Sequence, residues 1–232
     1  MAQGASPGPH FFAARAARRF RDRPVSPYDA TSATGAALAK GSRRPAEARR
    51  RQIVAAAARL VADQAYLPLP PERLAKAVGV SKALIYGYFP DQHDLFNAVL
   101  ADEFAALADA GLEAASQLGS LEQAALACAE IYFRHVCDRG PVVHVVLRDV
   151  YMVRRVDPAV AAVRDRIVRR LARQVRRELN LPPDETVGAI TLATTIPEDA
   201  GRLVWQGDLS PQAGLELCRR LTAAALAALR PT

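Results

Sequence analysis

Aromatic residues make up only 6% of the 232-residue chain, with a single tryptophan. Alanine, leucine and arginine dominate instead, a balance that suits helices better than sheets. Cysteine is scarce as well. Cys128, Cys137 and Cys218 are an odd set with no CxxC and no metal-ligand spacing, which argues against a disulfide framework and for reduced thiols in a cytoplasmic protein. No apolar run is long enough to span a bilayer, so no membrane partner is expected. The start FFAARAARRFR is arginine-rich and acid-poor like a targeting segment, yet no apolar stretch follows it, which speaks against export.

Catalytic constellations are missing too. There is no nucleophile elbow and no phosphate-cradling glycine loop, and His10, His93, His135 and His144 lack the HExxH spacing. His135 and Cys137 stand two apart, which on a helix turns them to different faces. The expectation is therefore no enzyme, no catalytic residue, no metal and no cofactor.

What is there is charge with a direction. Net charge is +7. Residues 1–45 carry eight Lys/Arg against two Asp/Glu, residues 46–90 seven against three, and residues 91–232 sixteen against nineteen. A polyanion contacted by the first ninety residues, and a near-neutral second domain with another task, fit that gradient. Residues 1–45 also mix Gly, Pro, Ser and Ala, a composition that cannot bury enough apolar surface to offset ordering entropy. They read as a disordered segment, either a solvated tail or a basic arm that reaches DNA.

The stretch PERLAKAVGVSKALIYGYFP, Pro71 to Pro90, reads as two short helices around a tight turn. Leu74 and Val78 share one face of the first, and Ile85 and Tyr88 recur on the second. Gly79 stands where a left-handed residue ends a helix, and Ser81 where a side-chain oxygen caps the next. Upstream, Ile53, Ala57, Leu60 and Val61 mark the apolar face of a first helix from Ala46. Arg49 and Arg50 begin that helix, where the dipole disfavours cations unless an anion such as a DNA phosphate answers them. This is the helix-turn-helix pattern, whose second helix enters the major groove.

In RRRQIVAAAARLVADQAY (49–66), LAKAVGVSKALIYGYF (74–89) and DQHDLFNAVL (91–100) the chain resembles the DNA-binding domain of TetR-family (tetracycline-repressor-like) transcriptional regulators. The resemblance implies an all-α fold: a three-helix head over 46–90, then a helical ligand-binding and dimerisation domain over 91–232. It implies a homodimeric repressor that leaves a palindromic double-stranded operator when a small-molecule effector binds. The DNA-binding set it implies is Arg49, Arg50, Ser81, Lys82, Ala83, Leu84, Tyr86, Gly87 and Tyr88. This head departs from the family at Pro70, Leu84, Gly87 and Gln92, where relatives commonly offer a donor or a charge to phosphate. A module of the same fold that has lost operator recognition is the rival reading.

Further helices are expected over 120–138, 141–154, 158–179, 184–205, interrupted near Thr195 by Pro197, and 210–229. His144, Arg148 and Tyr151 follow at i, i+4 and i+7 in VVHVVLRDVYMV. That polar stripe either lines a pocket or faces solvent, and spacing leaves both open. Phe104, Tyr132, Met152 and Trp205 are further candidates for a pocket wall. Nine arginines crowd residues 154–177, a solvated face or a second DNA surface. In the final helix Leu215, Leu217 and Leu221 are candidates for a dimer interface.

Overall fold

Capping residues and turn signals punctuate the chain closely, and the computed structural model, which describes residues 46–230, is helical in every regular element among them. The basic segment over residues 1–45 lies outside the described residues. Helix α1 is Ala46–Gln64, α2 Pro71–Val78, α3 Lys82–Tyr88, α4 Gln92–Asp109, α5 Leu112–Ala115, α6 Leu121–Arg139 and α7 Val142–Arg148. A 3-10 turn at Val150–Met152 precedes α8 Pro158–Leu179, α9 Pro183–Ala193, α10 Thr195–Trp205 and α11 Pro211–Ala228.

The head forms as its local chemistry dictates. Helix α1 buries Ile53, Ala57, Leu60 and Val61. Helix α2 begins at Pro71 behind Pro70, which offers no side-chain cap. It ends at Gly79, φ 71°, where Val80 N–H donates to Ala75 O at 3.1 Å and Gly79 N–H to Lys76 O at 3.3 Å. Those two bonds satisfy carbonyls that the helix end would otherwise leave open, and the left-handed turn needs a residue without Cβ. Ser81 Oγ then accepts from Leu84 N–H at 3.2 Å and starts α3. Asp91 caps α4 in the same way, accepting from Asp94 N–H at 2.9 Å.

Beyond the head, two expectations about helices need revision. The helix expected over 141–154 stops at Arg148, because Asp149 is extended and its carboxylate accepts from Tyr151 N–H at 2.9 Å and from Leu67 N–H at 3.0 Å. Aspartate competes for backbone donors in this manner and ends helices. The one-turn α5 is absent from the expected set, being too short for periodicity to reveal. The break near Pro197 occurs at Thr194, since proline lacks the N–H that an unbroken helix would use there.

Helix α6 is the axis of the body and packs against α10, α11, α5 and α8. Helix α7 goes the other way. Its Val142, Val143 and Val146, with Met152, join one buried cluster with Ile53, Val61, Leu74, Ile85, Phe96 and Leu100. The head therefore has no core of its own: α4 and α7, both from beyond the sequence division at residue 90, complete it.

Candidate functional site

The exposed face of α3 is built from Ser81, Lys82, Ala83, Leu84, Tyr86 and Gly87, all on the surface, while Ile85 anchors the helix in the core. Leu84 and Tyr86 are 41% and 46% exposed, large apolar surface that water solvates poorly and that thymine methyl groups can cover. Tyr88 is placed differently from its companions. It packs half-buried against the core and supports the helix from beneath. Lys82, the one charged side chain of α3, donates to Glu72 Oε1 at 2.7 Å. Hydrogen bonding to that carboxylate raises the ammonium pKa, but the pair is exposed, so a phosphate can take the place of Glu72. Arg49 donates to Gln52 Oε1 at 2.6 Å, and the Arg50 guanidinium lies 5.0 Å over the Phe89 ring. Both are held near the start of α1. Gln92 has a task that its sequence position did not disclose: Leu69 N–H donates to its Oε1 at 2.9 Å and its Nε2 donates to Leu69 O at 2.8 Å. It clamps the α1–α2 link to the start of α4.

In the body, the expected polar stripe is split. Tyr151 lies beyond the end of α7, and its ring stacks on His93 at 4.4 Å, joining the turn to α4. Phe104 and Met152 are buried in the core shared with the head, at 6% and 1% exposure. Trp205 is half-buried beside Gly140. What remains together is Tyr132, His144 and Arg148, and the group they surround is Glu198.

Glu198, on α10, is buried, and Tyr132 donates a hydrogen bond to its Oε2. His144 Nδ1 lies 4.0 Å from the same oxygen. Oε1 is buried with no partner among the described residues. Burial pushes the Glu198 carboxyl up to about 7, against the lowering effects of Tyr132 and Arg148. Burial also lowers His144, with Arg148 adding to the shift, and drives the Tyr132 hydroxyl well above its ordinary range, with Glu198 reinforcing it. The result is a buried carboxyl with one unpartnered oxygen, close to a half-buried imidazole and within electrostatic reach of the exposed Arg148 guanidinium.

A second buried carboxylate sits nearby. Arg139 grips Glu103 through Nε at 2.9 Å and Nη2 at 3.0 Å, and Asp102 at 2.6 Å. His135 Nε2 approaches Glu103 Oε2 at 2.9 Å, and the His135 ring stacks against Tyr132 at 6.3 Å. Burial raises the Glu103 carboxyl, but His135 and Arg139 outweigh it and hold it below its ordinary value. This unit ties α4 to α6, and both oxygens of its carboxylate accept hydrogen bonds where Glu198 Oε1 does not. Sequence reasoning missed both glutamates, although each stands inside a largely apolar stripe, Glu103 between Leu100 and Leu107 and Glu198 on the face of Gly201 and Trp205. A carboxylate on the buried side of a helix was the available signal.

Leu217 and Leu221 are 40% and 53% exposed on the outer side of α11, while Leu215 turns inward against the Phe133 and Cys218 cluster. The three leucines therefore do not form one surface. Among the described residues no group of three His, Cys, Asp or Glu side chains is arranged to hold a metal ion, and no helix is long and apolar enough to cross a membrane.

Residues 53–99 match the family model of bacterial regulatory proteins, tetR family. The chain carries a TetR-family DNA-binding domain. That match runs past the head's third helix into α4, as the shared core does. The fold as a whole is similar to that of a TetR-like transcriptional regulator from Rhodococcus sp. RHA1, at TM-score 0.59 and 20% identity over 80% of this chain and 99% of the other. It is similar also to the TetR-family regulator PfmR from Thermus thermophilus, at TM-score 0.55 and 20% identity over 75% and 96%. A fatty acid degradation regulator, FadR from Bacillus halodurans, aligns at TM-score 0.55 and 15% identity over 78% and 96%. No protein of curated function matches the chain in sequence. The described chain is thus all-α, with a head that matches the TetR-family model and a fold similar to that of TetR-family regulators.

Proposed function

We propose that this TetR-family protein is a homodimeric repressor of the bacterial cytoplasm, which binds a palindromic operator in double-stranded DNA and is released by a small-molecule inducer. Two α3 helices of a dimer enter successive major grooves about one helical turn, or a multiple of it, apart. The observation that carries the inducer half of the reading is the double membership of α7. Its valines are part of the head's core, while its His144 lies 4.0 Å from the buried carboxyl of Glu198, whose Oε1 has no partner, and its Arg148 acts on that carboxyl through charge. A ligand that engages Glu198, His144 or Arg148 must displace or lock α7, and the head cannot repack without it. Coupling of ~1 to 3 kcal/mol changes operator affinity about 5- to 150-fold.

One observation favours the rival reading of a module without operator recognition: the only charged side chain of α3 already has a partner in Glu72. Selection of bound sequences from random double-stranded DNA separates the two. A palindromic consensus supports the repressor; recovery of unrelated sequences with no consensus supports the rival. With an operator in hand, a screen for compounds that raise the melting temperature identifies inducers, since selective binding to the folded state raises apparent stability. Arg148→Ala should blunt the inducer's effect while leaving ligand-free operator affinity nearly unchanged, and equal loss of both would make Arg148 a structural residue.

A further inference from the structure

The arginine-rich helix α8 is not used by the function proposed above. Arg166, Arg170, Arg173 and Arg177 follow one another at intervals of four, three and four residues, so they form a ladder along one face, a turn apart. Like charges at this spacing destabilise a helix unless something answers them. Part of the answer is internal. Glu113 takes Arg170 at 2.9 Å and Arg166 at 3.7 Å, and Glu178 takes Arg177 at 3.0 Å. Glu178 is also committed to the start of α6, where Leu121 N–H donates to both its oxygens at 3.0 and 3.1 Å. Among the described residues no carboxylate pairs with Arg173 or Arg176.

These side chains border a cleft of about 790 Å³ lined by Arg170, Arg173, Arg176 and Arg177 together with Gln174 and Asn180. Its other wall is the α5–α6 link at Ser116 and Gln117. The volume lies within the range that holds small metabolites. Gln174 is oriented by its Nε2, which donates to Leu118 O at 2.8 Å, and its Oε1 is a buried acceptor with no partner. The cleft therefore offers several planar cationic forks and one acceptor that awaits a donor. The dipole at the end of α8 attracts cations to the last turn, which accounts for Arg176 and Arg177 but not for Arg170 and Arg173 farther back.

Its position rules out the operator as occupant. Helix α8 starts beside the head, where Asp157 N–H donates to Asn97 Oδ1 at 2.7 Å, and the cleft lies ~20 to 30 Å farther along the helix axis. Helix α4 likewise leaves the head at Gln92 and reaches the cleft's side only after its own end at Asp109. DNA held by α3 does not extend there.

We infer that this cleft binds an organic phosphate with at least two phosphate charges and a hydrogen-bond donor, the chemistry of a nucleoside diphosphate. Guanidinium forks match phosphate oxygens two at a time, and a ribose hydroxyl or base amine supplies the donor that Gln174 Oε1 lacks. Such a ligand binds a site separate from Glu198, so the inference stands whether or not that residue serves an inducer.

The test is calorimetric titration of the full chain with ADP and with inorganic pyrophosphate at fixed salt. It is repeated on Arg173→Gln/Arg176→Gln and on Arg154→Gln/Arg155→Gln, which removes equal charge elsewhere. Circular dichroism verifies that each variant keeps its helicity, and the single Arg173→Gln replaces the double variant if the latter does not fold. The expected result is saturable binding of one ADP per chain, weaker binding of pyrophosphate, at least about tenfold weakening in the cleft variant, and little change in the control. Absence of binding at millimolar ligand would overturn the inference. Equal weakening by the control pair would do the same, since it would mean diffuse attraction to a basic protein. Poly-glutamate binding where neither phosphate does would assign the cleft to an acidic protein segment instead.

Discussion

Gly140 joins the head and the body of this chain through the atom it lacks. Its φ is 81°, and a Cβ there would fall 2.7 Å from the Ala62 Cβ of α1 and 3.0 Å from the Trp205 ring of α10. Gly140→Ala should therefore cost ~2 to 4 kcal/mol in chemical denaturation, the sum of backbone strain and overpacking. Gly87 provides the contrast, since it sits in a helix with nothing within 4 Å of the added carbon, and Gly87→Ala should be neutral or slightly stabilising. Equal losses for the two would refute the close-approach account. Glu198 supplies a prediction in pH. Its folded pKa of about 7 stands above the ordinary value of 4.5, so between those values the native state binds more protons than the unfolded one. Stability from this group is fully present below about pH 4.5 and is lost as pH rises through about 7. Glu198→Gln keeps the acceptor for Tyr132 but cannot ionise. Urea midpoints compared at about pH 5.5 and about pH 8 should fall more steeply for the parent protein than for the variant, and parallel profiles would mean that Glu198 stays ionised throughout.

Single elements are legible in the sequence to different degrees, and the reason is local. Helices whose ends carry Ser81, Asp91, Ser120 or Ser210 as caps fall within a residue or two of expectation, because the cap and the helix it starts are neighbours in sequence. Helix α7 stops at Arg148, short of expectation, because one of the hydrogen bonds that commit Asp149 elsewhere comes from Leu67, 82 residues away. Helix α11 remains the strongest candidate for a partner surface, with Leu217 and Leu221 one turn apart and exposed. If that surface pairs with a second copy, Leu221→Glu places a charge in a buried interface at a cost of several kcal/mol, and sedimentation should show monomers. A soluble variant that remains fully dimeric would remove α11 from the interface.

At the scale of the molecule, the uneven charge makes its own prediction. Helix α3 presents one ammonium, and Pro70 and Gln92 carry no charge, whereas residues 1–45 hold eight Lys/Arg. Deleting residues 1–44 should lower operator affinity and make log K less dependent on log salt, by roughly 0.9 for each phosphate that the segment neutralises. Full-length and truncated proteins with equal slopes would show that the segment takes no part in binding.

The sequence by itself determined the helical class, the head with its Gly79 turn and Ser81 cap, and the interruption at Pro197. Each of these depends on residues within a turn or two of one another. It also disclosed His144 and Arg148 as a polar pair on an apolar helix. Tertiary structure alone decided what that pair faces. The burial that lifts Glu198 and leaves its Oε1 open, the grip of Arg139 on Glu103, the clamp of Gln92 on Leu69 and the insertion of α7 into the head's core all join residues more than twenty positions apart. Periodicity marks which side of a helix is buried, but it carries no information about which distant helix covers that side, and a carboxylate's environment is set by the covering helix.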